Sequence, residues 1–275
     1  MLPRIPGTAI EIVEEPRRRP LRYALFDLDG TLSLLRDGWQ DQMVPLMVDL
    51  LEDCGRDESR EEIEALVTGF VDKLTGKQTI YQMIRLCEEI KRRGGSPLEP
   101  LEYKALYNDR LDAAISDRLS AIEDGLLPPG DFLVPGSLAF LEELAGRGVT
   151  CYLASGTDED LVRRDAALLG FEHLFEDRIF GALRQYENFS KRMVIERIIS
   201  GHGLDGPELI VIGDGYVEIQ DGRETGAVAF GIHTREKNRY HMNSGKRERL
   251  LKAGAHFLAP GLDEGAALLD HLEAG

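Results

Sequence analysis

The chain of 275 residues carries 33 Lys and Arg against 49 Asp and Glu, a formal net charge of −16, with 43% hydrophobic and 30% charged residues. This is globular chemistry, not that of a disordered or fibrous chain, and the acidic excess argues against a nucleic-acid partner, whose phosphates are held by Lys and Arg. No apolar stretch approaches the roughly 18–20 residues of a membrane span, residues 1–20 lack the apolar block of a secretory signal, and Cys54, Cys87 and Cys151 form neither a CxxC pair nor a disulfide framework. The expectation is a soluble cytoplasmic protein with no membrane partner, long enough for one large core plus a smaller lobe.

In chain order, residues 1–20 offer an edge strand over Ala9–Val13 or a loose arm, with Arg17–Arg19 as a solvated turn. The first strong strand is Arg22–Asp27, closed by the polar turn Asp27-Leu-Asp-Gly-Thr31. From about Leu35 to Val134 the pattern is helical. Trp39–Leu51 supplies one helix. Ile63, Leu66, Val67, Phe70, Val71 and Leu74 form an apolar face at period 3.6; so do Ile80, Met83, Ile84, Cys87 and Ile90, and Leu111, Ile115, Leu119 and Ile122. Asp57 and Pro100 read as starts, and Gly55, Gly76 and Gly94-Gly95 as stops. Beyond Pro135-Gly136, Leu138, Leu141 and Leu144 sit at helical spacing. Apolar runs at Val149–Ala154, Arg178–Ala182, Glu208–Gly213, Ala227–Gly231 and His256–Ala259 then alternate with helix-length segments such as Asp158–Leu169, Ser190–Ile199 and Gly245–Ala253. Such alternation predicts an α/β fold, a Rossmann-like doubly wound parallel sheet covered on both faces. The expected division is an arm over 1–20, an α/β core over 21–35 and 134–275, and an inserted four-helix cap over 36–133. The charged runs Arg235–Arg239 and Lys246–Arg249 read as solvated faces.

Open α/β sheets place chemistry beyond the carboxyl ends of their strands. The first strand delivers Asp27 and Asp29, the second Ser155 with Gly156 and Thr157, and a later one Asp214 with Glu218 following; Lys191 opens the helix after the third. Each has a bland reading, as an Asx turn, a helix cap for Ser155, or a surface lysine. Four such accidents at successive strand ends are a poor explanation. Hard carboxylate oxygens beside a lysine and a hydroxyl suit Mg²⁺ and a phosphoryl group.

The segments Phe26-Asp-Leu-Asp-Gly-Thr-Leu32, Leu153-Ala-Ser155, Ser190-Lys191 and Val211-Ile-Gly-Asp-Gly215 resemble the haloacid dehalogenase superfamily of aspartate-nucleophile phosphotransferases, over nearly the whole chain after residue 20. The resemblance implies Asp27 as nucleophile and Asp29 as the acid that protonates the leaving oxygen and then takes a proton from water. It implies Mg²⁺ on the carboxylates of Asp27 and Asp214 and the backbone carbonyl of Asp29, with Ser155, Gly156 and Lys191 on the phosphoryl group. Two departures stand out. Glu218 occupies the region where a second aspartate is common, and is expected to hold metal-bound water or Lys191, with a helix-start acid as the alternative; Arg192 replaces a frequent proline. The dehalogenases themselves lack an acid at the position of Asp29, so its presence favours phosphate chemistry.

Nearly a hundred residues separate Thr31 from Pro135, whereas Ser155 to Lys191 leaves room only for a helix, a strand and a loop. The cap is therefore the helical kind placed after the first motif, similar to that of phosphoglycolate phosphatases and β-phosphoglucomutases, and it favours a small phosphorylated metabolite as substrate. Arg36–Gly38 and Leu133–Gly136 are the expected hinges. In the cap loop Leu74–Ile80, Lys77 and Gln78 are candidate substrate contacts, and Trp39, Tyr81, Arg85, Arg184, Tyr186 and Asn188 are weaker ones. The leading function is Mg²⁺-dependent hydrolysis of a phosphomonoester through an aspartyl-phosphate. A sugar phosphomutase and a non-catalytic metabolite-binding protein are the alternatives.

Overall fold

A computed structural model describes residues 2–235 and 241–274; most of the charged run Arg235–Arg239 lies outside them. Seven strands form one sheet in the order β1-β7-β6-β5-β2-β3-β4. They are β1 (Glu11–Ile12), β2 (Tyr23–Phe26), β3 (Thr150–Asp158), β4 (Ile179–Ala182), β5 (Leu209–Gly213), β6 (Val228–Ile232) and β7 (Phe257–Ala259). All neighbours are parallel except β1, which runs antiparallel to β7. The N-terminal residues thus supply the edge strand, shorter than its sequence span. Strands β5 and β6 are buried along their whole length, which only helices on both faces can achieve.

Those covering helices are α5 (Ser137–Gly146), α6 (Glu159–Leu168), α7 (Lys191–His202), α8 (Tyr216–Glu224), α9 (Ser244–Ala253) and α10 (Gly265–Glu273). On one face Phe26, Phe140, Phe171 and Phe175 interlock edge to face. On the other, Leu25 and Val211 pack on Val194, Ile195 and Ile198 of α7.

Between β2 and β3 the chain builds four helices, as the periodicity predicted: α1 (Trp39–Glu52), α2 (Arg60–Leu74), α3 (Thr79–Arg92) and α4 (Pro100–Glu123). Pro100 opens α4 at its first turn, and Ser59 caps α2 in a reciprocal pair with Glu62, two residues after the expected start at Asp57. The chains leading into and out of this lobe run side by side: Leu34 N–H donates to Phe132 (2.8 Å) and Val134 N–H to Leu32 (3.0 Å). Among the described residues no helix is long and apolar enough to cross a membrane.

Candidate active site

The sheet register assembles the site. Phe26 of β2 pairs with Leu153 on one side and Ile212 on the other. The residues just beyond therefore emerge together: Asp27 from β2, Ser155 along β3, and Asp214 after Gly213 of β5. β2 lies where the strand order reverses, the usual place for a ligand crevice. Asp27 N–H donates to the Ile212 carbonyl (2.9 Å), so its side chain leaves the sheet at a fixed height.

Lys191, at the first turn of α7 after the Ser190 cap, lies 2.7 Å from Asp27 Oδ1 and 3.3 Å from Glu218 Oε2, and all three are buried. Oxygens of Asp27, Asp214 and Glu218 fall within 4.8 Å of one another. Burial, together with Glu218 and Asp214, pushes the Asp27 carboxyl up, and Lys191 opposes this. The same carboxylates outweigh desolvation at Lys191 and hold its ammonium firmly charged. Three hard carboxylates around one cation fit a further divalent cation, which would offset their mutual repulsion. Glu218 Oε1 also accepts from Gly215 N–H (2.6 Å), which anchors it at the start of α8.

Asp29 sits apart from this cluster. Its Oδ2 accepts from Thr157 Oγ1 (3.0 Å), with Ser155 Oγ at 3.5 Å, and its Oδ1 lies 3.9 Å from Arg36 Nε. Burial pushes its pKa up to about 6 against the pull of Arg36. Ser155 is not a helix cap. β3 continues through it, with a register shift against β4 between Ala154 and Asp158, and α6 starts only at Glu159.

The cavity above is lined by Asp27, Asp29, Ser155, Gly156, Lys191 and Asp214 below and by Trp39, Thr75, Gly76 and Lys77 above, with Lys104, Tyr107 and Asn108 at the side. The cap loop rests on the strand ends. A Cβ on Gly156 would come within 2.5 Å of the Lys77 carbonyl, and one on Gly76, whose φ is +94°, within 2.4 Å of Glu218. Gly156→Ala is accordingly expected to unseat the loop, raising amide hydrogen exchange across residues 74–80 about tenfold while β2 and β5 keep their protection; unchanged exchange would show that the loop tolerates the methyl.

Lys77 lines the cavity, whereas Gln78 does not. Gln78 Nε2 donates to the carbonyls of Tyr186 (2.8 Å) and Phe189 (2.7 Å), so this side chain ties the cap loop to the segment before Lys191. Trp39 reaches the cavity, whereas Tyr81, Arg85, Arg184, Tyr186 and Asn188 are not in its lining. Tyr81 packs edge-on against Tyr186, and Arg85 pairs with Glu88 and Glu89.

A further expectation is corrected. Lys246 is not part of a solvated face: it is buried, and its Nζ donates to Asp214 Oδ2 at 2.5 Å. Asn243 accepts from the Lys246 N–H and so fixes the start of α9. Thr157, placed at the strand end by the sequence, proves to bind Asp29, whereas sequence reasoning missed the buried Asp165 that pairs with Arg36 (2.8 Å) and Asp158, which binds Lys104 and Asn108.

The fold and the strand-end acid cluster define an α/β enzyme with a helical lobe closed over its site. The chain belongs to the haloacid dehalogenase-like hydrolase family, whose sequence pattern matches residues 24–217. It shares its fold with a predicted phosphoglycolate phosphatase from Haemophilus somnus, at 17% identity and a TM-score of 0.58 over 90% of this chain and 97% of the other. A β-phosphoglucomutase from Clostridium difficile aligns at 14% identity and a TM-score of 0.60, over 92% and 98%. A family hydrolase from Deinococcus radiodurans with bound phosphate and sodium aligns at 16% identity and a TM-score of 0.54, over 92% and 97%. No curated protein matches the sequence.

Proposed function

We propose that the protein is a Mg²⁺-dependent phosphatase of a small phosphomonoester, working through an aspartyl-phosphate on Asp27. The observation that carries this reading is the separation of two carboxyls. Asp27 lies against Lys191 (2.7 Å) inside a cluster suited to a metal, while Asp29 stands beside it with an upshifted pKa. Two acids with divergent surroundings can divide nucleophile and acid roles.

In this reading the Asp27 carboxylate attacks phosphorus, the bond from phosphorus to the leaving oxygen breaks, and Asp29 delivers its proton to that oxygen. Asp29, now ionised, takes a proton from water; the resulting hydroxide attacks phosphorus, the acyl-phosphate bond breaks, and Asp27 returns as carboxylate. Lys191 and Ser155 bind the phosphoryl oxygens as charge moves onto them. The carboxylates of Asp27 and Asp214 and the Asp29 carbonyl would hold Mg²⁺, which supplies charge neutralisation and keeps Asp27 ionised. Lys246 on Asp214 compensates the same carboxylate from its other side. Residues 36–133 act as the cap, over a core of residues 21–35 and 134–275, with Arg36–Gly38 and Leu133–Gly136 as hinges.

The test is phosphate release from a panel of phosphomonoesters with Mg²⁺ and then with chelator. Chelator-sensitive release supports the reading; bisphosphate-dependent isomerisation without release would identify a mutase instead, and no turnover would leave the reading without support. Asp29→Asn is expected to lower kcat/KM for alkyl phosphates about 10²–10⁴-fold, yet cost far less on an aryl phosphate whose leaving oxygen needs no proton. In the wild type, kcat/KM for alkyl phosphates falls as pH rises through about 6 and Asp29 loses its proton. Stability has the same direction. The folded pKa exceeds the ordinary 3.8, so the folded state holds more protons between 3.8 and about 6, and stability declines as pH rises through that window. Asp29→Asn removes the buried charge and should melt no lower than wild type at pH 7. An equal loss on both ester types would contradict the assignment.

A further inference from the structure

Arg36 occupies an unusual electrostatic position. It lies on the short segment between β2 and α1, is only 5% exposed, and lines the cavity beside Asp29. Its Nε donates to Asp165 Oδ2 (2.8 Å), and its Nη2 is buried with no hydrogen-bond partner. At 3.9 Å the approach of Nε to Asp29 Oδ1 is too long for a hydrogen bond, and that oxygen is also without a partner. Asp165 does not neutralise Arg36 fully, because its Oδ1 accepts from Arg164 (2.9 and 3.0 Å) and one buried carboxylate therefore serves two guanidiniums.

The other charges lining the cavity pair off. Lys191 is matched by Asp27, Lys104 by Asp158, and Asp214 by Lys246. Two cations remain. Arg36, whose one hydrogen-bonded carboxylate is shared with Arg164 and which makes no hydrogen bond to Asp29, lies in the floor, and the exposed Lys77 lies in the roof with its ammonium 5.8 Å from the Tyr81 ring centroid and no carboxylate partner among the described residues. A buried guanidinium with an unused donor is costly unless something binds it.

We propose that the leaving group carries a second anionic group, held by the Arg36 guanidinium, so that Arg36 determines specificity for phosphomonoesters whose alcohol portion is itself an anion. A carboxylate and a second phosphate present the same chemistry to Arg36, charged oxygens that accept from its fork. The position beside Asp29 places this anion close to the leaving oxygen, which favours a short spacer. Tyr107, Leu111 and Leu161, which also line the cavity, offer the apolar surface such a spacer would cover. This inference rests on the phosphatase reading of the same site.

The experiment is calorimetric binding, in Mg²⁺, of three unhydrolysable phosphonates: ethylphosphonate, phosphonoacetate and propane-1,3-diphosphonate. Wild type is expected to bind at least one of the charged-tail compounds about tenfold or more tighter than ethylphosphonate, and the favoured compound tells carboxylate from phosphate. In Arg36→Met that preference collapses to within about twofold, the size expected once the charge-assisted contact is gone. Arg36→Lys keeps the charge against Asp165 but loses the fork, and should retain only part of the preference. It carries the test if circular dichroism shows that the methionine variant does not fold. No preference in wild type, or an undiminished preference in the variants, overturns the proposal while ester hydrolysis stands. If no phosphonate binds and no ester is hydrolysed, the phosphatase reading falls, and this inference with it.

Discussion

Asp27→Asn is expected to abolish turnover, lowering kcat by about 10⁴-fold or more, because a carboxamide cannot supply the oxygen that becomes acyl-phosphate. The substitution is nearly isosteric and removes one of three carboxylates lying within 4.8 Å of one another. It should therefore leave the melting temperature at pH 7 unchanged or higher. Loss of activity with a retained fold separates a chemical role from a structural one. A variant that turned over at even a tenth of the wild-type rate would exclude Asp27 as the nucleophile.

Lys191→Met is the second large effect, and it acts on stability as well as rate. Lys191 is the cation between Asp27 (2.7 Å) and Glu218 (3.3 Å) in a buried cluster. Removing it leaves carboxylates without their counter-charge, a change that costs about 3–5 kcal/mol in comparable buried pairs. Its absence also removes phosphoryl stabilisation, which lowers kcat by about 10²–10³-fold. The sign with pH follows from the cluster. Without the ammonium, the raised Asp27 carboxyl rises further, so the variant regains stability as pH falls and Asp27 takes up a proton. Mg²⁺ should raise its melting temperature more than that of wild type, because a metal in the same cluster offsets the same repulsion. Chemical denaturation at pH 5 and pH 8, with and without Mg²⁺, checks both; equal stability at the two pH values would contradict the account.

Much of this architecture was legible in the chain because parallel strands and amphipathic helices leave strong periodic signals. The run Leu209–Gly213 is apolar throughout and is buried throughout, and the period of Ile63, Val67, Phe70 and Val71 marks the buried stripe of α2. The strand-end acids were legible for a related reason: Asp27 and Asp214 each follow an apolar run directly.

What escaped the sequence depends on long-range geometry. Lys246 sits in a Lys-Arg-Glu-Arg run that looks like any solvated helix, and only the packing of α9 against α8 and β6 brings it to Asp214. Asp165 has the polar character of a surface helix residue, yet it is fully buried between Arg36 and Arg164. β3 outran its apolar segment because the polar Ser155-Gly156-Thr157 breaks the apolar run, and the bulged pairing with β4 extends the ladder past them. Gln78 sits in a polar loop whose sequence does not show the docking that brings its amide to the carbonyls of Tyr186 and Phe189.

The most direct test of the central claim is acid-quenched mass spectrometry of the protein after brief mixing with a phosphomonoester it hydrolyses, with Mg²⁺ present. The account predicts a peptide spanning Tyr23–Leu32 heavier by one phosphoryl group, with the modification on Asp27, absent in Asp27→Asn and absent with chelator. Steady hydrolysis of an aryl phosphate with no phosphorylated peptide in Asp29→Asn, whose first step is spared on that ester and whose second step should be slowed so that the adduct accumulates, would contradict it. Phosphorylation at any other residue would contradict it as well.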